Sequence, residues 1–143
     1  MDSFWTAVAP NSISQEEAFS GNKSLKIAPF NYSCAYKMPL DSTLIGKKIQ
    51  IKSSCWGKTN SLEASRTMFL LCTVESGKEN LLWKSQKLEK HLLDEEYWNC
   101  INQSIHYQVQ KKEEQVNVYF WNNSAAPIFI DDLQISIQVL DED

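Results

Sequence analysis

Residues 127–139 read PIFIDDLQISIQV, an apolar stretch with two adjacent aspartates in its middle. In a β-strand, successive side chains point to opposite faces of the sheet. Strict alternation places Asp131 on an apolar face, together with Phe129, Leu133, Ile135, Ile137 and Val139. Asp132 falls on the polar face beside Gln134, and we expect it to be partly solvated.

The position of Asp131 on an apolar face requires a partner for its charge. An isolated buried carboxylate costs several kcal/mol unless it is paired or bound to a metal. Arg66 is the only arginine of the chain, and no lysine lies close to Asp131 in the sequence. Two explanations remain. Asp131 accepts hydrogen bonds from backbone amides of a neighbouring loop, or it ligates a hard cation, for which calcium is the best candidate.

The same period of two recurs along the chain. It is clear in residues 46–56, GKKIQIKSSCW, and in residues 115–121, QVNVYFW. Further strand candidates, separated by turn-rich segments, are residues 24–30, 34–40, 66–75 and 101–110. Eight to ten short strands without alternating helices predict an all-β fold, a two-sheet antiparallel β-sandwich. Residues 85–98, SQKLEKHLLDEEYW, have leucines at helical spacing and predict either a helix or a long loop with one turn.

Size and charge exclude several classes of protein. The 143 residues predict one domain spanning 1–143. The net charge of −4 argues against a nucleic-acid partner, which usually needs a basic face. No apolar run approaches the roughly 20 residues that a membrane span requires, so we expect no membrane insertion. The first residues lack a charged segment followed by an apolar one, so the sequence predicts no signal peptide.

The four cysteines, Cys34, Cys55, Cys72 and Cys100, contain no CxxC pair, which argues against a zinc site. Cys72 alternates with apolar residues and is expected to be a buried free thiol. One disulfide, in an exported protein, is the alternative.

Catalytic motifs are not evident in the sequence. Adjacent glutamates such as Glu95 and Glu96 would point to opposite faces of a strand and could not act as an acid–base pair. The sequence has no GxSxG, no HExxH and no glycine-rich phosphate loop. We therefore expect a protein that is not an enzyme.

Four segments in order resemble a known family. They are EEAFSGNKSLKI at 16–27, LIGKKIQI at 44–51, the Trp-x-x-Ile turn at 98–101 and IFIDDLQI at 128–135. Together they resemble carbohydrate-binding modules of families four and nine, in the galactose-binding-like superfamily, over nearly the whole chain. The resemblance implies a jelly-roll sandwich that binds poly- or oligosaccharide, as a monomeric accessory domain of a larger glycan-degrading or cell-surface protein. It also implies an extracellular or cell-surface location. The alternative is a structural or protein-interaction sandwich without a sugar site.

The resemblance further implies a structural calcium far from the sugar site. Carried over to this sequence, Asp131 is the side-chain ligand. Carbonyls around Gly21 and Ser24 are its partners, with Asp2 as an N-terminal ligand. The family often has an acidic residue directly beside the first phenylalanine, whereas here Asp2 lies two positions before Phe4.

Candidate sugar contacts are aromatic and amide side chains on polar strand faces. Sugar C–H patches stack on aromatic rings, and sugar hydroxyls pair with amides and carboxylates. Alternation places Asn117, Tyr119 and Trp121 together on the polar side of one strand, and Trp56 on the polar side of another. Trp83, in LLWKSQ, completes the predicted set, although its face is ambiguous. Packing into the sandwich is the alternative role for each of these aromatics.

Overall fold

The structure, a computed structural model, describes residues 13–14, 24–33, 35–95 and 97–140. The described residues form ten strands and three short 3-10 turns. The strands are β1 (Ile13–Ser14), β2 (Ser24–Ile27), β3 (Asn31–Tyr32), β4 (Tyr36–Pro39), β5 (Lys48–Lys58), β6 (Met68–Ser76), β7 (Glu79–Lys87), β8 (Asn99–Gln108), β9 (Glu114–Asn122) and β10 (Ile128–Val139).

The strands form two antiparallel sheets. The first sheet has the order β1-β2-β10-β5-β8. In the second sheet, β3 and β4 both pair with β9, which is followed by β6 and β7. The all-β sandwich predicted from the alternation of the sequence is confirmed.

The core lies between the two sheets and follows the predicted alternation. Ile49 and Ile51 of β5 are buried, as are Val116, Val118 and Phe120 of β9. The residues between them point outward, so each sheet has an inner apolar face and an outer face.

A β-bulge explains the two aspartates of β10. Pairing with β5 reaches Asp131 opposite Trp56 and resumes only at Gln134 opposite Ser54. Asp132 has a φ of 52°, in the left-handed region that aspartate visits more readily than most residues. A bulge adds one residue to one strand and bends that strand locally.

The bulge changes which side chains of β10 face the core. Ile128 and Ile130 are buried in the core before it, and Leu133 and Ile135 are buried in the core after it. Strict alternation, which placed Phe129 and Asp131 with the core residues, is therefore wrong before the bulge and right for Leu133 and Ile135 after it. Asp131 pairs with the outward Trp56, so it lies on the outer side of the sheet and not on the core face, although it is only 3% exposed.

The segment with helical leucine spacing is not a helix. Strand β7 extends to Lys87 and a 3-10 turn covers Leu88–Lys90, followed by a loop that leads to β8. Of the two predicted alternatives, the loop with one turn is right. The described part of the chain contains no helix long and apolar enough to cross a membrane.

Three of the four cysteines are described, and all three are free thiols. Cys55 and Cys72 are buried, and Cys100 is exposed. Burial raises the pKa of Cys72 to about 12, so this thiol stays protonated and unreactive at neutral pH. The predicted buried free thiol at Cys72 is confirmed, while Cys34 lies outside the described residues.

Candidate functional site

The outer face of the second sheet carries most of the predicted sugar contacts. We call this surface the aromatic face. Cross-strand pairing arranges its side chains in three rows, which are Trp83–Thr73–Asn117, Ser85–Leu71–Tyr119 and Lys87–Phe69–Trp121–Tyr32. Alternation along β9 produces this arrangement, because its even-numbered residues enter the core and its odd-numbered residues point outward.

Three aromatic rings form a stack across the strands. The ring of Tyr32 lies parallel to that of Trp121, with centroids 5.4 Å apart and planes 5° apart. Phe69 stacks on Trp121 with a centroid distance of 5.2 Å. Since β3 and β6 flank β9, the two neighbours cover opposite faces of the Trp121 ring. Tyr32, which is 60% exposed, is therefore the ring that offers a stacking surface to a ligand.

Trp83 is the second exposed aromatic side chain of the face. It lies on β7, at the opposite edge of the sheet from Tyr32, and is 55% exposed. Its row is four residues along β6 from the row of Tyr32. Three strand spacings across and four residues along separate the two positions by about 20 Å. The pair therefore spans the face diagonally.

Buried side chains form a floor between these two aromatics. Leu71, Thr73 and Asn117 are only 2%, 3% and 5% exposed. Asn117 donates a 3.2 Å hydrogen bond from Nδ2 to Thr73 Oγ1 and accepts one from Gln115 Nε2, also at 3.2 Å. The structure thus places Asn117 in the floor of the face, with its amide held by neighbours, rather than at the exposed surface.

Tyr119 lies beside the ring stack and is half-buried. Its centroid is 6.2 Å from that of Tyr32, with the rings tilted by 49°. Partial burial, followed by the nearby Tyr32 and Glu75, raises the pKa of Tyr119. Its hydroxyl therefore remains protonated at neutral pH and can donate a hydrogen bond.

Trp56 does not belong to this site. It lies on β5 in the first sheet, where it pairs with Cys100 and Asp131 on the outer side of that sheet. The predicted grouping of five sugar contacts therefore divides into four residues on the aromatic face and Trp56 on the other sheet.

Sequence reasoning missed Tyr32 and Phe69. Tyr32 is in a two-residue strand, too short to show any alternation. Phe69 is in MFLLCTVES, which is apolar on both faces and so does not reveal its direction. The aromatic character of Phe69 within this apolar strand was the available signal.

The predicted calcium residues are only partly within the described chain. Asp2 and Gly21 lie outside it, and only the backbone of Ser24 is described. Asp131 is 3% exposed and accepts a 2.8 Å hydrogen bond from the backbone N–H of Asp132. Pairing of β10 with β2 ends at Ile130 opposite Leu25, so Asp131 and Ser24 occupy the next positions on neighbouring strands.

The fit of these residues to calcium depends on one carboxylate. Within the described ranges, no group of three or more His, Cys, Asp or Glu side chains could hold a metal ion. Calcium accepts backbone carbonyls as well as carboxylates. A site at Asp131 would therefore consist of this carboxylate and carbonyl oxygens.

Comparison with solved structures identifies the fold. The chain is similar to a family 16 carbohydrate-binding module (TM-score 0.54, 12% identity, 95% of this chain and 89% of that chain). It is also similar to a CBM4 structure (TM-score 0.51, 14% identity, 96% and 84%). An arabinose-bound GH51 α-L-arabinofuranosidase contains a similar domain (TM-score 0.55, 14% identity, 93% and 23%).

At these levels of sequence identity, the comparisons show similarity of fold. The jelly-roll β-sandwich of the carbohydrate-binding modules, predicted from the sequence, is confirmed. The sequence itself matches no protein-family model and no curated protein.

Proposed function

We propose that this chain is a non-catalytic carbohydrate-binding module and that the aromatic face is its glycan-binding surface. The observation that carries the proposal is the pair of exposed rings, Tyr32 and Trp83, on one outer face of a sandwich with this fold. Exposed aromatic rings beside hydroxyl and amide groups suit the apolar C–H patches and hydroxyls of sugars. A protein-interaction sandwich without a sugar site is the alternative that binding experiments exclude or support.

The ligand is an extended chain rather than a single sugar. A monosaccharide can contact one of the two exposed rings, but their separation of about 20 Å exceeds its length several times. An oligosaccharide lying diagonally over the floor contacts both rings. The hydroxyl groups of Ser85 and Tyr119 lie in the middle row, between the row of Trp83 and the row of Tyr32.

Among the described residues, the aromatic face has no pair of carboxylates like that of a glycoside hydrolase. Glu75, its acidic residue on β6, pairs with Asn80 and Gln115, so its cross-strand neighbours are amides. Glycosidases of the usual type use two carboxylates that flank the scissile bond. This supports binding without hydrolysis. The likeness to carbohydrate-binding modules is the basis on which we further propose a monomeric accessory domain outside the cell or at its surface.

Replacing Trp83 with alanine is expected to weaken glycan binding by about 2 kcal/mol, or roughly thirtyfold, because an exposed stacking ring is removed. Affinity electrophoresis in gels containing soluble β-glucan, xylan or mannan measures the effect. Tyr97→Ala is the matched control, since Tyr97 is 71% exposed but lies in the loop before β8. If the glycan gel retards the Trp83→Ala variant as much as the unmodified chain, the aromatic face is not the binding surface.

We also propose that Asp131 anchors a structural calcium on the first sheet, away from the aromatic face. A buried carboxylate on β10, next to the start of β2, supports this proposal. The ion would neutralise Asp131 and would tie these two strands together without contacting the sugar.

A calcium chelator is expected to lower the melting temperature of the chain and to have no effect on Asp131→Ala. Binding to the folded state alone stabilises it by about 2.7 kcal/mol at a hundredfold excess of ion over its dissociation constant. Asp132→Asn is the control, because asparagine tolerates the left-handed backbone at this position. If chelation leaves the unmodified chain unchanged, Asp131 is held by hydrogen bonds instead.

A further inference from the structure

The outer face of the first sheet, on the side of the sandwich opposite the aromatic face, contains a recess. We call it the amide trough. Its volume is about 740 Å³, and its outward side chains are Lys52, Ser54, Asn102, Ser104, Gln134 and Ser136. Pairing arranges them in two rows across β10, β5 and β8, which are Gln134–Ser54–Asn102 and Ser136–Lys52–Ser104. Ligand-binding recesses usually have volumes of about 300 to 1,000 Å³.

The backbone of β10 accounts for the position of the trough. The bulge comprises Asp132 and Leu133, between the paired residues Asp131 and Gln134, and Gln134 begins the first row of the trough. Because a bulge bends its strand, the surface of the sheet changes direction there. The trough therefore depends on backbone geometry and does not require the rearrangement of long side chains.

Parts of the trough wall are already held in place. Gln50 donates a 2.8 Å hydrogen bond from Nε2 to Ser104 Oγ. Asn102 accepts one at its backbone oxygen from Gln86 Nε2, also at 2.8 Å. Groups that are fixed before binding lose less conformational entropy when a ligand arrives.

The chemistry of the lining selects a class of ligand. Amide and hydroxyl groups both donate and accept hydrogen bonds, as sugar hydroxyls do. Lys52 is the only charged side chain among the lining residues, so a nucleic acid, which is held by several cations, does not fit. Trp56 lies in the next row on the same outer face, beside Ser54, and adds a partly exposed aromatic ring.

We infer that the amide trough, bordered by Trp56, is a second binding site for a neutral oligosaccharide. The inference rests on the proposed function for the class of its ligand and adds a separate surface. A chain with two glycan sites on opposite sides can bridge two polysaccharide strands, which raises avidity for assembled glycan over single oligosaccharides.

The test measures the binding of cellohexaose, xylohexaose and mannohexaose to the chain. Titration calorimetry gives the number of bound molecules, and amide chemical shifts in NMR spectra show which face they contact. We expect two bound molecules per chain and shift changes on both outer faces. The double variant Asn102→Ala/Gln134→Ala is expected to lose one of the two binding events and the shift changes around the trough. Gln138→Ala is the matched control, since it is exposed on β10 but does not line the trough.

The outcomes separate this inference from the proposed function. Shift changes confined to the aromatic face, with one bound molecule, would overturn the second site and leave the proposed function intact. Shift changes confined to the trough would support the second site and remove the assignment of the aromatic face. If none of the three hexasaccharides changes the shifts on either face, both proposals are wrong.

Discussion

Asn122→Ala is expected to lower the free energy of unfolding by about 3 kcal/mol, and the melting temperature by about 10 °C. Asn122 is the last residue of β9 in the second sheet and is fully buried. Its Nδ2 donates to the backbone oxygens of Ile27, Ala28 and Ala126 at 3.1, 3.2 and 2.8 Å, and its Oδ1 accepts from Ser124 Oγ at 2.5 Å. Alanine removes every one of these bonds and leaves buried carbonyls without this donor.

Two further variants make this result specific. Asn123→Ala is the matched control, because Asn123 is exposed and its described bond, from its N–H to Thr67 O, is made by the backbone. Asn122→Asp keeps the acceptor but loses the donors and adds a buried charge, so it should destabilise at least as much as alanine. Denaturant unfolding measures all three. Equal midpoints for Asn122→Ala and Asn123→Ala would show that the network contributes little to stability.

Glu114→Ala is expected to destabilise the fold by about 3 kcal/mol, because it leaves three buried or half-buried donors without an acceptor. Glu114, the first residue of β9, is 1% exposed. Its carboxylate accepts from the Tyr107 hydroxyl at 2.5 Å and from the backbone N–H groups of Gln110 and Lys111 at 2.7 and 2.5 Å. Since Tyr107 belongs to β8, this carboxylate joins the two sheets.

Glu113→Gln provides the control for charge, because Glu113 is exposed and precedes Glu114 directly.

Tyr107→Phe tests the hydrogen bond between the two sheets. Burial, followed by the hydrogen bond to Glu114, raises the pKa of Tyr107. A raised pKa gives stability that is present below the unfolded value of about 10 and is lost as the pH rises above it. Tyr107→Phe should remove the loss of stability at alkaline pH that comes from Tyr107. If the free energy of unfolding depends on pH in the same way in this variant and in the unmodified chain, Tyr107 is not the source of that loss.

The sequence predicts those parts of the molecule in which one regular strand decides the direction of its side chains. Strand β9 is regular, so alternation alone put Tyr119 and Trp121 on the outer face. Strand β10 is not, because the left-handed Asp132 interrupts it. Adjacent aspartates give no signal of a bulge until the pairing with β5 is known.

The rest of the site depends on contacts between strands. Tyr32 reaches Trp121 through the pairing of β3 with β9, which joins residues far apart in the chain. Asn117 is in the expected row, but its burial depends on the neighbours that surround it and not on its own strand. Trp56 has the expected outward direction, and only the order of strands shows that it lies on the other sheet.

The ring stack has an optical consequence. Trp121 is covered on one face by Tyr32 and on the other by Phe69, so its surroundings change little when a ligand reaches the sheet. Trp83 stands at the solvent edge, and its indole would exchange water for sugar on binding. Of the two indoles on the aromatic face, the emission of Trp83 should therefore shift to shorter wavelength on binding, while Trp121 contributes a constant background. The emission of Trp56 would change separately, when a ligand binds to the first sheet. Intrinsic tryptophan fluorescence can therefore report binding at each face without an added dye.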